Sequence, residues 1–184
     1  MKIKNLIFVT GNNEKAEEAK AILGLQVKIK KIKHLPEIQS MDLDEVVREK
    51  AKAAFEIIEK PLLVDDVAFY IDAWKDFPGP FIRFMIPMGV EGILKTLENE
   101  TNRKVLLCCG IGYHDGKKIH VFIGKIKGKI SKDAGGKRHF GFDPIFIPNG
   151  GKLTYAQMGF KEKNLVSHRA KALEKLKKFL ERNN

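Results

Sequence analysis

Asp65 and Asp66 stand side by side, directly after the apolar residues Leu62, Leu63 and Val64. Neighbouring residues on a strand point to opposite faces, so a strand that ends at this pair is where both carboxylates would turn toward one cleft. Two acids beside an apolar strand are costly to bury unless a cation neutralises them. Oxygen ligands with water in the remaining positions describe a Mg²⁺ site. A solvated turn at a strand end is the alternative, because Asp is common there.

Other residues could share that chemistry. The stretch VTGNNEK, Val9 to Lys15, closes the first apolar run with a glycine, two asparagines and a lysine. It has neither the G-x-x-x-x-G-K-[S/T] nor the G-x-G-x-x-G spacing, so any phosphate grip here follows another scheme. Glu37 follows a proline in HLPEIQ. Lys50 lies mid-helix on the face of Val46, Val47 and Ala54, either as a snorkelling core-edge lysine or as a ligand contact. Phe140 and Phe142 flank Gly141 in FGFDP, a pattern that suits a core and also suits stacking on a base. Ser167, His168 and Arg169 open the last helical segment. Arg169 falls on its apolar stripe, where an arginine needs an acidic partner or an anionic or polar ligand.

The elements that must position these residues read as an α/β protein. Residues 3 to 9 form a nearly continuous apolar strand, as expected for one covered on both faces. Asn12 suits an N-cap, and Gly24 stops the helix that follows. Leu25 to Lys33 alternates as a half-exposed strand with Val27 and Ile29 on the apolar side. Asp42 with Glu45 begins the clearest helix in capping-box fashion, and Pro61 ends it. LLV, the two aspartates and a second apolar run follow. Residues 104 to 130 read as two strands joined by the turn at His114, Asp115 and Gly116. One amphipathic helix from about Asn164 to Leu180 closes the chain, with Leu165 in its apolar stripe. The order predicts a long curved mixed sheet flanked by helices, in two lobes with a cleft between them, within a single domain over residues 1–184.

Bulk properties narrow the partners. The chain has 184 residues, 43% hydrophobic and 31% charged, with no segment apolar enough to cross a bilayer. Cys108 and Cys109 are adjacent and do not readily pair with each other, so reduced thiols in a cytoplasmic protein are expected. The formal net charge of +11 favours anionic ligands. Its lysines are scattered among glutamates, however, and the aromatics do not interleave with them, so neither nucleic acid nor membrane is the expected partner.

Taken together, these residues resemble the inosine triphosphate pyrophosphatase family of Ham1-like purine nucleotide hydrolases. TGNNEK, LPEIQ, VDD, FPGPFIR, FGFDPIF and KNLVSHR occur in that family's order and spacing over nearly the whole chain. The resemblance implies hydrolysis of ITP, dITP and XTP to the monophosphate and pyrophosphate with Mg²⁺, by a homodimer that clears such nucleotides from the precursor pool. Thr10, Gly11, Asn12, Asn13, Glu14 and Lys15 resemble its triphosphate-gripping loop. Glu37 and Asp66, with Asp65 beside them, resemble its metal-binding acids, and Asp66 also its proton acceptor. Lys50 and Lys163 resemble its phosphate and nucleotide contacts. Phe140, Gly141, Phe142 and Asp143, with His168 and Arg169, resemble its base pocket, and Ser167 stands beside them as a substrate contact or a helix cap. Many members read P-G-x-Y-S-A-R where this chain has PGPFIR, and the resemblance implies that Arg83 supplies the cation of that motif. Val67 stands after the aspartates where small residues are frequent. A Maf-like pyrophosphatase, with other nucleotide preferences, is the nearest alternative.

Overall fold

A computed structural model describes residues 5–137 and 141–183. The first apolar run is strand β1 (Asn5–Val9), with Leu6 and Phe8 fully buried. Helix α1 (Asn13–Leu23) begins where the Asn12 side chain accepts the Lys15 amide at 3.2 Å. It ends at Gly24, whose left-handed φ of 66° suits a residue without a Cβ. Strand β2 (Gln26–Lys30) runs parallel to β1. It is shorter than its alternation predicts, and Ile29 is exposed although Val27, on the same face, is buried.

Helix α2 (Leu43–Ile58) starts as expected at Asp42, whose carboxylate accepts the Asp44 amide at 2.9 Å. The reciprocal half of the capping box is absent, because Ser40 Oγ donates to Glu45 Oε2 at 2.6 Å instead. Glu59, at a left-handed φ of 54°, ends the helix ahead of Pro61.

Strand β3 (Leu62–Ile71) departs most from the sequence reading. It does not end at the two aspartates but runs through them for ten residues. It pairs with β1 in parallel and with the short β4 (Pro78–Gly79) antiparallel. Two 3-10 turns follow, then helix α3 (Gly89–Thr96). Strands β5 (Lys104–His114) and β6 (Ile119–Ile130) bracket the predicted turn. Asp115 Oδ1 caps that turn, accepting the Lys117 and Lys118 amides at 2.7 and 2.8 Å.

Strand β7 (Phe146–Pro148) lies antiparallel to β6. The last helix is divided. Helix α4 (Phe160–Val166) stops at Ser167, whose ψ of 154° is extended, and helix α5 (His168–Arg182) begins at the next residue. The break turns Leu165 out to solvent, 81% exposed, so it does not join the buried stripe of Ala172, Leu173, Leu176 and Leu180.

The seven strands form one open mixed sheet in the order β2-β1-β3-β5-β6-β7, with β4 on β3. Among the described residues the chain groups into two compact units. The first draws on Met1–Asp66, Cys109–Gly124 and His168–Asn184, and the second on Val67–Cys108 and Lys125–Ser167. The core of the second unit gathers Phe69, Ile71, Leu97, Leu107, Phe146 and Tyr155, all fully buried. Each such side chain contributes about 1.5–3 kcal/mol of burial.

Candidate active site

Because β3 continues through the acids, the pleat sends Asp65 and Asp66 to opposite faces of the sheet. In the first unit they meet different partners. Lys15, from the first turn of α1, places Nζ 3.0 Å from the Asp65 carboxylate. Arg169, from the first turn of α5, donates Nε to Asp65 Oδ2 at 3.2 Å and Nη1 to Glu18 Oε2 at 2.7 Å. Asp65, Glu18 and Arg169 are all buried. Of the two needs posed by an arginine on a buried face, the structure supplies the acidic partner.

Electrostatics follow from this packing. Burial pushes the Asp65 carboxyl up, but Lys15, Arg169 and Lys50 outweigh it and hold it at about 2. Burial opposes the charge of Arg169, and the neighbouring Asp65, Cys109 and Glu18 raise its proton affinity overall. Asp65 is therefore an ionised anchor for two cations.

On the other face, Lys50 of α2 sits between two carboxylates. Its Nζ lies 2.7 Å from Glu37 Oε1 and 3.0 Å from Asp66 Oδ2. Glu37 arrives on the irregular segment between β2 and α2, and Asp66 on the strand. All three are partly exposed, with side-chain exposures of 14% to 24%, so solvent and solutes reach them. The two acids converge on one positive centre, and that centre is an ammonium. They are hard oxygen donors placed to share a cation, which fits Mg²⁺, an ion commonly held by one or two carboxylates with phosphate oxygens and water. Among the described residues no group of three or more His, Cys, Asp or Glu side chains could hold a metal. Asp65, expected beside these ligands, instead faces Lys15 and Arg169.

The glycine-containing turn also belongs to the first unit. Thr10 Oγ1 accepts the Asn12 amide at 3.1 Å, and Asn12 caps α1 as described. Gly11, Asn13 and Glu14 are exposed at the helix start. A Cβ on Gly11 would meet only the Lys31 side chain, at 3.6 Å, so the fold leaves room in front of the turn. His168 opens α5 beside Arg169 and is buried.

The remaining residues lie in the second unit, where Lys163 and Asp143 form a buried ion pair at 2.5 Å. Lys163 Nζ also stands 5.6 Å from the centre of the Tyr155 ring. Ser167 is buried, and its amide closes α4 onto the Lys163 carbonyl at 2.8 Å. Phe142 packs into the core with its ring 4.5 Å from that of Phe69, which is the core alternative of the FGFDP reading. Gly141, at a φ of 52°, precedes it in a turn. Val67 follows Asp66 on β3 and is half-buried. Arg83 is exposed and stacks over Phe84 at 5.0 Å. Phe140 lies outside the described residues.

Glu18 is the one residue of this network that the motifs did not single out. Its signal was available, because it is an acid between Ala16 and Ala19 on the buried face of α1. A buried acid on one helix and a buried arginine on another call for each other.

Lysines from α1 and α2 and an arginine from α5 thus meet the mid-strand acids of an open α/β sheet. The chain belongs to the Ham1 family, whose family model matches residues 6–179. It is 41% identical over 182 residues to the dITP/XTP pyrophosphatase of Thermococcus kodakarensis, covering 97% of this chain and 98% of that one. It is 47% identical over 146 residues to the dITP/XTP pyrophosphatase of Saccharolobus solfataricus, covering 79% and 76%. The inosine triphosphate pyrophosphatase of Schizosaccharomyces pombe is 39% identical over 183 residues, covering 97% and 96%. Among solved structures, the Staphylococcus aureus Ham1 protein matches with a TM-score of 0.83 at 26% identity, over 98% of this chain and 100% of that one.

Proposed function

We propose that this chain is a nucleoside triphosphate pyrophosphatase that hydrolyses ITP, dITP and XTP to the monophosphate and pyrophosphate. The observation that carries the reading is Lys50, held by Glu37 and Asp66 at a partly exposed position in the same unit as Lys15 and the start of α1. The names of the relatives agree with it.

A nucleoside triphosphate carries close to four negative charges, and phosphoryl chemistry asks the protein mainly for position and charge stabilisation. The α1 start and Lys15 offer backbone N–H groups and a cation to phosphate oxygens. Lys50 adds a second cation on the opposite side of β3. Glu37 and Asp66 would hold Mg²⁺, which when bound supplies further positive charge to the polyphosphate. An Asp66 carboxylate oxygen orients a water and takes its proton as the water attacks the α-phosphorus. Pyrophosphate leaves with its charge offset by the lysines. Lys163 remains the proposed nucleotide contact.

Hypoxanthine and xanthine carry an oxygen at position 6 where adenine carries an amino group. A buried donor accepts the first and rejects the second, by about 10⁴-fold in favourable cases. Of the two donors in the base pocket that the resemblance implies, His168 and Arg169, the arginine already serves Asp65 and Glu18, so His168 is the proposed one. A homodimer and a cytoplasmic location belong to the same reading. Among the described residues, no helix is long and apolar enough to cross a membrane.

The test is a pyrophosphate-release assay on ITP, dITP, XTP, dUTP, GTP and ATP, with and without Mg²⁺. Turnover of the first three that requires the ion supports the reading, and equal turnover of ATP or of dUTP overturns it.

A further inference from the structure

We infer that Gly110 and Gly112 of β5 are positioning residues, which set the depth at which α2 lies on the sheet and so keep Lys50 at Asp66. The inference deepens the proposed function and rests on it for the importance of Lys50, but its geometry stands independently.

Neither glycine is among those with positive φ, so the backbone at both positions suits any residue. Space is what demands glycine. A Cβ on Gly110 would stand 2.7 Å from Val47 Cγ2 and 3.1 Å from Ile123 Cδ1. A Cβ on Gly112 would stand 2.9 Å from both Val47 Cγ1 and Val64 Cγ2, and 3.1 Å from the Val47 carbonyl oxygen. Carbon atoms at rest keep about 3.5–4.0 Å apart, so either methyl group would force α2 outward or its side chains aside.

The two glycines share a face of β5, two residues apart, and the fully buried Val47 of α2 straddles them. Val47 lies three residues before Lys50, one helical turn away on the same side of α2. Val64 lies two residues before Asp66 on the same face of β3. The bare patch on β5 therefore lies under the helix turn that carries the lysine and beside the strand residue that leads to its acid. Packed interiors transmit such a displacement because they have no free volume to absorb it.

The test compares Gly112→Ala, Val47→Ala and the double variant with the wild-type protein, each checked by circular dichroism for native folding. Acylation of lysines by a water-soluble succinimidyl ester, mapped residue by residue by mass spectrometry, reads the Lys50 contact without any substrate. Gly112→Ala should speed labelling of Lys50 severalfold while Lys15 and Lys163 keep their wild-type rates, and the double variant should return to the Val47→Ala rate. On ITP, kcat of Gly112→Ala should fall on the order of 10-fold and recover in the double variant. A folded Gly112→Ala protein with wild-type Lys50 labelling overturns the inference, as does labelling that rises at all three lysines together. Should Gly112→Ala fail to fold, Gly110→Ala, whose three nearest neighbours are all side-chain atoms, faces the same criteria. Wild-type protein that shields Lys50 yet releases no pyrophosphate would end the functional reading and leave the helix seat standing.

Discussion

Asp65 and Asp66 are adjacent in β3 yet bind different cations: Asp65 holds Lys15 and Arg169, whereas Asp66 holds Lys50 together with Glu37. Their division follows from the pleat of one uninterrupted strand. It separates a buried structural carboxylate from a partly exposed one, and each makes its own prediction.

Asp66 is the exposed member and the proposed proton acceptor. Asp66→Asn keeps the size and the pleat but removes the base, so kcat on ITP should fall on the order of 10²-fold or more with little change in KM. Steady-state kinetics at saturating Mg²⁺ check it. Wild-type turnover would take Asp66 out of the role.

Asp65 governs acid stability. Its carboxyl is held at about 2, below the ordinary 3.8, because Lys15 and Arg169 outweigh the cost of burial. A depressed carboxyl stabilises the fold above its unfolded value and loses that contribution as pH falls from about 4 to about 2, on the order of 2 kcal/mol. Chemical denaturation of wild type and Asp65→Asn at several pH values should show the difference between them shrinking across that window. A difference that stays constant down to pH 2 contradicts this account.

Arg169 is buried between Glu18 and Asp65, and removing it leaves two carboxylates without their partner. Arg169→Ala should cost about 3–5 kcal/mol of stability. Glu18→Gln, which keeps the shape and an acceptor oxygen, should cost less. Urea midpoints rank the two, and an Arg169→Ala protein as stable as wild type would show that the guanidinium is not what holds these helices together.

The cysteines should be inert in the native state. Burial pushes the Cys108 thiol up to about 11 and that of Cys109 to about 12, so neither supplies thiolate near neutral pH. Titration with a disulfide reagent should label neither cysteine until denaturant is added. Prompt labelling of the folded protein would mean that β5 opens readily.

Much of this was legible in the residues. Asn12, Gly24 and Asp42 act as the caps their positions suggest, and Asp115 makes the turn between β5 and β6. These are local effects, decided by a side chain and a backbone group a few residues away. The motifs likewise brought forward Lys50 with Glu37 and Asp66, which both lie within ion-pair distance of it, and Lys15, which meets Asp65 on the other face of β3. What escaped the sequence depended on contacts far along the chain. The aspartates resembled a strand end because Asp disfavours strands, and Lys15, Arg169 and Lys50 neutralise them within a continuous one. The division of the last helix at Ser167 carries no proline or glycine to announce it. The partnership of Glu18 with Arg169 spans 151 positions of sequence.

Strand β2 lies at the edge with Lys28 and Lys30 exposed along it, and only Val27 is buried. A foreign strand adding there must pay for desolvating lysines and, if it is another copy of this chain, for setting ammonium against ammonium. The lysine content therefore protects against fibre-like association at high concentration, quite apart from any attraction for nucleotides.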